Sequence, residues 1–275
     1  MAEGPLRTVG ELRTAYAETL TGIAGVVEQL DDEGFQRETG CPGWTVHDCV
    51  AHVSALESML IGRETPQHTV PEGLAHVRSP VGALTEQGVD YRRPWSRPQV
   101  LDEYRDIMQE RLRALASLTD ADLENDTEWL FGTSTLRRVL MIRVFDIWSH
   151  EQDIRRAVGN PGGFDGLAGQ NARDRLLRGF AMKFEQRNAA PDGTSIRLHL
   201  GEPIAVDRHI VIRDGRARVV DAAGDQPDVT LRADMNTWTV LGCGRADVPG
   251  ALSIVSIDGD QTLGRALLED LAFTP

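Results

Sequence analysis

Apolar residues at helical spacing run through the first two thirds of the chain, and this pattern constrains the fold more than any other feature. Leu12, Tyr16 and Leu20, for example, recur every four residues and share one helix face. Long helices are predicted over residues 8–30, 45–60, 96–118, 133–159 and 166–188. Helices of this length joined by loops favour an up-and-down bundle.

Helix-start signals and loop composition place the boundaries of these segments. Thr8 and Thr45 each open a capping-box pattern, in which a hydroxyl and a later acidic side chain bond the first backbone N–H groups. Residues 63–95 are rich in Pro, Gly and Thr, and they predict a long connection with a short helix near 81–88.

The periodicity changes after residue 194, where apolar and polar residues alternate as in half-buried strands. Strands are predicted at 195–200, 209–220, 228–233 and 251–259, and helices at 235–244 and 260–273. Asp214 and Gly215 divide the second run and are typical of a hairpin turn. We expect a mainly α protein, with a helical bundle over residues 1–191 and a small α+β domain over residues 192–275.

Charge and cysteine content exclude several classes of protein. The formal net charge is −13 and no dense basic patch is present, which argues against nucleic acid or an anionic membrane as the partner. The three cysteines are too few for a disulfide framework, and no N-terminal run has the pattern of a signal peptide. We expect a cytoplasmic monomer or homodimer that acts on a small molecule.

An acidic residue and a histidine four positions apart indicate a metal site. Asp146 and His150 lie on what should be the packed face of one helix, where an unpaired carboxylate is costly. Zinc and similar ions need three or four ligands, so this pair would form half of a site. His52, on the predicted inner face of the second helix, is the best third ligand. In the alternative interpretation, these are buried polar residues with ordinary hydrogen-bond partners.

Several neighbouring residues have more than one interpretation. Asp153 either orients a ligand histidine by accepting its ring N–H or forms an ion pair with Arg156. Trp148 is expected in the core or in a pocket wall, and Trp44 in a hydrophobic staple before the second helix. His47 lies in the first turn of that helix, where we expect exposure to solvent.

Common catalytic motifs are absent from the sequence. No Gly-rich loop follows a predicted strand, and neither a GxSxG nor an HExxH motif is present. The commonest nucleotide-binding sites and hydrolase sites are therefore excluded.

Two motifs together resemble a known family. CPGWTVHDCVAHV at residues 41–53 and VFDIWSHEQDIRRAVG at residues 144–159 resemble the maleylpyruvate isomerase family of mycothiol-dependent enzymes. Residues 228–273 are similar to the C-terminal domain of that family, which is like a sterol carrier protein. The resemblance implies a DinB-like metal-binding bundle followed by this small domain.

The resemblance also implies a ligand set and a cosubstrate. The positions that match the family's metal ligands are His52, Asp146 and His150, with aspartate where the family usually has glutamate. The implied ion is Zn²⁺ or another divalent metal, and mycothiol is the implied thiol cosubstrate. A metal-stabilised thiolate would add to an electron-poor double bond, giving isomerisation, or displace a leaving group, giving S-transfer.

An acceptor of this kind would carry carboxylates, so an arginine is expected near the cleft. Arg245 and Arg143 are the candidates. We expect Arg245 and Asp153 in catalytic roles, and Arg143 and Trp148 in contact with the cofactor. Two other functions stay open, a metal-dependent hydrolase that needs no thiol and a non-catalytic protein that binds a small molecule or a metal.

Overall fold

The computed structural model describes residues 6–186, 191–220 and 226–274. These residues form two compact units, one ending at Asn171 and the other beginning at Ala172. The division falls inside a helix, so that helix contributes residues to both units. The domain boundary at 191/192 stays a prediction.

The first unit is a helical bundle. Its helices are α1 (Val9–Val27), α2 (Asp32–Phe35), α3 (Val46–Leu60), α4 (Pro80–Asp90), α5 (Arg97–Ala116), α6 (Leu136–Val158) and the first turns of α7 (Gly166–Gln186). Among the described residues, none of the helices combines the length and the apolar character needed to cross a bilayer.

The starts of α1 and α3 and the end of α6 lie where their local sequence signals predict. The Thr8 hydroxyl accepts the backbone N–H of Glu11 at 3.2 Å, and the Thr45 hydroxyl accepts that of Asp48 at 3.3 Å. Both contacts belong to complete capping boxes. Gly159 closes α6 in a left-handed conformation (φ 68°), which glycine adopts without steric cost.

The packing of the bundle brings α3 and α6 side by side. Helix α3 contacts α4, α5 and α6, and α1 contacts α5 and α6. The predicted stripe of Leu12, Tyr16 and Leu20 on α1 is buried, as its spacing requires. The inner faces of α3 and α6, which carry the candidate ligands, therefore meet within the core.

The shortest elements of the bundle are not predicted, and they include a hairpin, a four-residue helix and a 3₁₀ turn at Asp122–Glu124. Residues 133–135 belong to a hairpin of β1 (Asp126–Trp129) and β2 (Gly132–Thr135), so α6 begins at Leu136 and not at residue 133. Helix α2 has four residues, fewer than the apolar repeat needs to become visible.

The second unit contains a five-stranded sheet of order β5-β4-β3-β6-β7. Its strands are β3 (Ser195–Leu200), β4 (Val206–Arg213), β5 (Arg216–Val220), β6 (Val229–Ala233) and β7 (Ser256–Gly259). Strands β3 and β6 are parallel, and the other neighbours are antiparallel. The predicted turn joins β4 to β5, with positive φ at Asp214 (53°) and Gly215 (67°).

Three helices complete the second unit, and one prediction there is wrong in part. They are α8 (Met235–Gly242), α9 (Val248–Ile254) and α10 (Gln261–Leu268). Only the end of the predicted strand 251–259 is extended, because α9 begins at Val248 with a proline in its first turn. The alternation of apolar and polar residues after this proline fits both a short helix and a strand, so it predicts a strand that is too long.

Candidate metal centre

The structure brings His52, Asp146 and His150 together between α3 and α6. Each offers one donor atom, and these atoms all lie within 4.8 Å of one another. Asp146 and His150 are one turn apart on α6, and His52 faces them from α3. The three candidate ligands therefore converge on one point, as a shared ion requires.

The distances within this trio fit a single cation. His52 Nε2 lies 3.1 Å from Asp146 Oδ2, and His150 Nε2 lies 3.9 Å from Asp146 Oδ1. Two ligands of a tetrahedral zinc ion are about 3.3 Å apart, given bonds of about 2.0–2.1 Å. The trio thus needs only small side-chain movements to hold one ion, and three ligands leave one position open.

Burial and charge put His52 and Asp146 in the protonation states that bind a metal. Burial lowers the pKa of His52 to about 4, although the Asp146 carboxylate favours the charged imidazole. Burial alone would raise the pKa of Asp146, but the charges of Arg143 and His52 hold it well below its usual value. A neutral imidazole and an ionised carboxylate are the ligating forms.

Polar atoms at the trio also differ in exposure. His52 Nδ1 is buried and has no hydrogen-bond partner within the described part of the chain. The Asp146 side chain keeps 31% of its surface exposed, whereas those of His52 and His150 are almost completely buried.

A buried ion-pair network fixes the Asp146 carboxylate. Arg143 is 1% exposed and donates to Asp146 and, from Nε, to Glu57 Oε1 at 2.9 Å. Glu57 is fully buried and also contacts Arg111, with Nε 2.8 Å from Oε2. Arg111 in turn donates to the Tyr16 hydroxyl at 3.3 Å. This network was not predicted, and Arg143, expected to contact a cofactor, lies inside it.

Asp153 forms the expected ion pair with Arg156 and lies beside the His150 ring without a hydrogen bond of acceptable geometry. Its Oδ2 lies 3.2 Å from His150 Nδ1, and its Oδ1 accepts from Arg156 Nη2 at 2.6 Å. Asp153 is fully buried, so its charge acts on the ring with little screening. The role of Asp153 in orienting His150 stays a prediction.

Trp44 forms a wall against both imidazoles. Its ring centroid lies 4.8 Å from that of His52 and 5.4 Å from that of His150. The indole N–H donates to buried Glu86 at 2.8 Å, and Glu86 also contacts His76 at 3.0 Å. The sequence predicts Trp44 only as a hydrophobic staple. Its place in the CPGW motif, just before the helix that carries His52, is the signal that could have indicated a role at the site.

Two other predicted site residues make contacts of their own. Trp148 is fully buried, donates to the Gly163 carbonyl at 2.6 Å and packs against Phe164. It is two positions from both Asp146 and His150, which turns it to the opposite face of α6. Arg245 follows α8 in the second unit, where its Nη1 donates to the Cys243 carbonyl at 2.9 Å. The roles expected of both residues stay predictions.

The exposure expected of His47 is wrong. The side chain is buried, its ring packs edge-on against Phe35, and its Nε2 lies 3.3 Å from the Trp95 carbonyl oxygen. The first turn of α3 is covered by neighbouring segments, which the sequence of α3 alone does not show.

Comparisons with known proteins show the fold and the family of this chain. A family model described as the mycothiol maleylpyruvate isomerase N-terminal domain matches residues 16–155. The structure of the mycothiol-dependent maleylpyruvate isomerase matches with a TM-score of 0.58 and 17% identity, over 91% of this chain and 92% of that chain. A histidine-to-alanine mutant of that enzyme matches with a TM-score of 0.57 and the same identity and coverage.

These matches differ in what they establish. At 17% identity the two solved structures show a shared fold and nothing finer. The search of curated proteins found no match. The family model spans half of the chain and includes His52, Asp146 and His150. The chain therefore belongs to the mycothiol maleylpyruvate isomerase family, which is a family of enzymes.

Proposed function

We propose that this protein is a divalent-metal enzyme, with zinc as the expected ion, that activates mycothiol for reaction with a small electrophile. The reaction is isomerisation of the electrophile or S-transfer to it, and the electrophile carries carboxylate groups. The observation that carries the proposal is the convergence of His52, Asp146 and His150 in a chain of this family.

The donor set explains which chemistry the ion would supply. A divalent cation held by two neutral imidazoles and one carboxylate keeps a net positive charge, and it stabilises the thiolate form of a thiol at the open position. Two nitrogens and one oxygen, with a fourth position open, are typical of catalytic zinc.

The surrounding residues hold these donors in place. Asp153 lies 3.2 Å from His150 and is proposed to orient it once an ion is bound, and Arg143, fixed by Glu57, restrains Asp146. Trp44 covers one side of both imidazoles and excludes water from that side. Ligands that are oriented before the ion binds bind it more tightly, because less conformational freedom is lost.

Substrate carboxylates need a positive partner, and Arg245 is proposed for this role. Its guanidinium keeps its charge at any physiological pH and can hold a carboxylate through two parallel hydrogen bonds. Replacing Arg245 by lysine should raise KM for an anionic electrophile more than it lowers kcat, because charge is kept and the paired geometry is lost.

Metal analysis of purified variants tests the ligand set. Wild-type protein should contain one equivalent of zinc. His52→Ala and Asp146→Ala should each lose it in a Cys41→Ser background, which removes a thiol that lies near His150. His209→Ala, on β4 in the other unit, is the matched control and should keep the metal. Unchanged occupancy in the two ligand variants would overturn the assignment.

Thiol dependence tests the reaction class. Turnover of an electron-poor, carboxylate-bearing alkene should require mycothiol together with the metal. Turnover of an ester or amide without added thiol would instead indicate the hydrolase. Binding without any turnover, retained in His150→Ala, would indicate the non-catalytic alternative.

A further inference from the structure

A second cluster of potential ligands lies on the other side of His150. Cys41, His150 and Asp153 each offer a donor atom, and these atoms lie within 4.8 Å of one another. The nitrogen of His150 nearest Asp153 is Nδ1, at 3.2 Å from Oδ2, whereas Nε2 faces Asp146. The two ring nitrogens of His150 thus face two different sets of donor atoms.

The backbone around Cys41 fixes the position of its thiol. The Cys41 N–H donates to the Thr39 hydroxyl at 3.1 Å, and the Trp44 N–H donates to the Cys41 carbonyl at 3.1 Å. Gly43, inside this turn, has a φ of 77°. Because the turn is bonded at both ends, the side chain of Cys41 is held where it reaches α6.

Burial within the cluster also points to a ligand. His150 Nδ1 is buried and, among the described residues, makes no hydrogen bond of acceptable geometry, although Asp153 Oδ2 is close by. A buried nitrogen in this state is costly unless something satisfies it. Cys41 is partly exposed, so an ion could enter from solvent on its side of the cluster.

The chemistry of the donors selects a thiophilic ion. A thiolate, an imidazole and a carboxylate together carry two negative charges, which balance a divalent cation. Thiolate favours Zn²⁺ and softer ions such as Cd²⁺ over Mg²⁺ or Ca²⁺. Arg156 contacts Asp153 Oδ1, so Oδ2 can serve as a ligand without breaking that ion pair.

We propose a second metal-binding position, formed by Cys41, His150 Nδ1 and Asp153. It cannot be occupied at the same time as the first position, formed by His52, Asp146 and His150. A neutral imidazole has one nitrogen with an available lone pair, so His150 can serve either set but not both. The second position would hold a thiophilic ion away from His52 and Asp146, and it does not depend on any reaction with mycothiol.

Cadmium binding to metal-free protein tests this position, with thiolate-to-cadmium charge-transfer absorption in the ultraviolet as the readout. The His52→Ala variant is used because its first set is broken. One equivalent of Cd²⁺ should produce the absorption band in His52→Ala. The band should be lost in the double variant His52→Ala/Cys41→Ser and kept in His52→Ala/Cys243→Ala.

Two outcomes would overturn the second position. These are a missing band in His52→Ala, and a band of equal intensity in the Cys41→Ser double variant. If His52→Ala folds poorly, as judged by circular dichroism, Asp146→Asn provides the same background. The first set is tested separately by the zinc content of His52→Ala and Asp146→Ala in the Cys41→Ser background, where the second position is broken, so the failure of one assignment is distinguishable from the failure of the other.

Discussion

Glu57 accepts from Arg143 at 2.9 Å, and through this contact a carboxylate on α3 positions a guanidinium that binds Asp146 on α6. Glu57 and Arg143 are both buried, and neither belongs to the trio of candidate ligands. The orientation of one ligand therefore depends on a charge pair behind it, and the consequences can be measured.

Glu57→Gln should weaken both the fold and the metal site. The change leaves two buried guanidiniums facing a neutral amide, which typically costs about 3–5 kcal/mol in the free energy of unfolding. Loss of an outer partner of a metal ligand lowers metal affinity by about 10–100-fold. Urea denaturation and a competition titration with a chromophoric chelator measure the two effects.

The control for this variant is Glu110→Gln. Glu110 pairs with Arg63 at 2.6 Å, but both side chains are partly exposed to solvent, by 46% and 35%. Its loss should change the free energy of unfolding by less than about 1 kcal/mol and leave metal affinity unchanged. A folded Glu57→Gln protein with wild-type affinity would contradict the positioning role.

Trp44→Phe and Trp44→Ala should separate packing from hydrogen bonding. Trp44→Ala removes the wall beside both imidazoles and should cost about 3–5 kcal/mol in stability. Trp44→Phe keeps most of the wall but loses the N–H bond to Glu86, which costs about 1–3 kcal/mol. We expect metal affinity to fall clearly in the alanine variant and little in the phenylalanine variant. Equal losses of metal affinity in the two variants would show that the hydrogen bond to Glu86, and not the packing of the ring, supports the site.

Gly43→Ala should destabilise the turn that carries Cys41 and Trp44. An added Cβ would lie 2.3 Å from His76 Nδ1, and the φ of 77° is unfavourable for any side chain. Gly132→Ala is a matched control, because its φ is 89° but nothing lies within 4 Å of the added Cβ. Strain alone costs about 1–3 kcal/mol, so the excess loss in Gly43→Ala measures the clash. Thermal unfolding of both variants measures this excess loss of stability. The double variant Gly43→Ala/His76→Ala should regain the stability that the clash removes.

Asp207 should give a small stabilisation that depends on pH. The hydrogen bond from Arg197 is the main cause that lowers the pKa of Asp207 to about 2, from 3.8. Because the folded-state pKa is the lower one, this stabilisation is complete above pH 3.8 and is lost as the pH falls towards 2. The side chain is 41% exposed, so solvent screening reduces the effect to less than about 1 kcal/mol.

The measurement for Asp207 is a difference between two proteins. Urea denaturation of wild type and Asp207→Asn at several pH values should show a gap that is largest near neutral pH. The gap should narrow as the pH falls below about 4, where the unfolded carboxylate begins to bind protons. A gap that does not change with pH would mean that the variant perturbs packing and not charge.

The starts of α1 and α3 and the hairpin turn are predicted correctly, because a few adjacent residues determine them. Capping boxes at Thr8 and Thr45 predicted helix starts correctly, since the first turn depends on a few adjacent residues. The Asp214-Gly215 turn was predicted for the same reason. The strand expected at 251–259 was wrong in its first part, because a run of that length fits either element until its neighbours decide.

The site could be predicted only in outline. The spacing of Asp146 and His150 showed that they share a face, and His52 followed from the inner stripe of α3. The contacts of Glu57 with Arg111 and Arg143 depend on how three helices are rotated against one another. No local pattern carries that information, and the same is true of the burial of His47.

Two of the three candidate ligands are on α6 and the third is on α3. The distance between these helices therefore sets the separation of the ligand atoms and the size of the ion that they can bind. Sliding α3 by one residue along its axis would move His52 by about 1.5 Å, which is large compared with the tolerance of about 0.2 Å on a metal–ligand bond. Small changes in the side chains packed between the helices could therefore retune the preferred ionic radius while all three ligands stay the same.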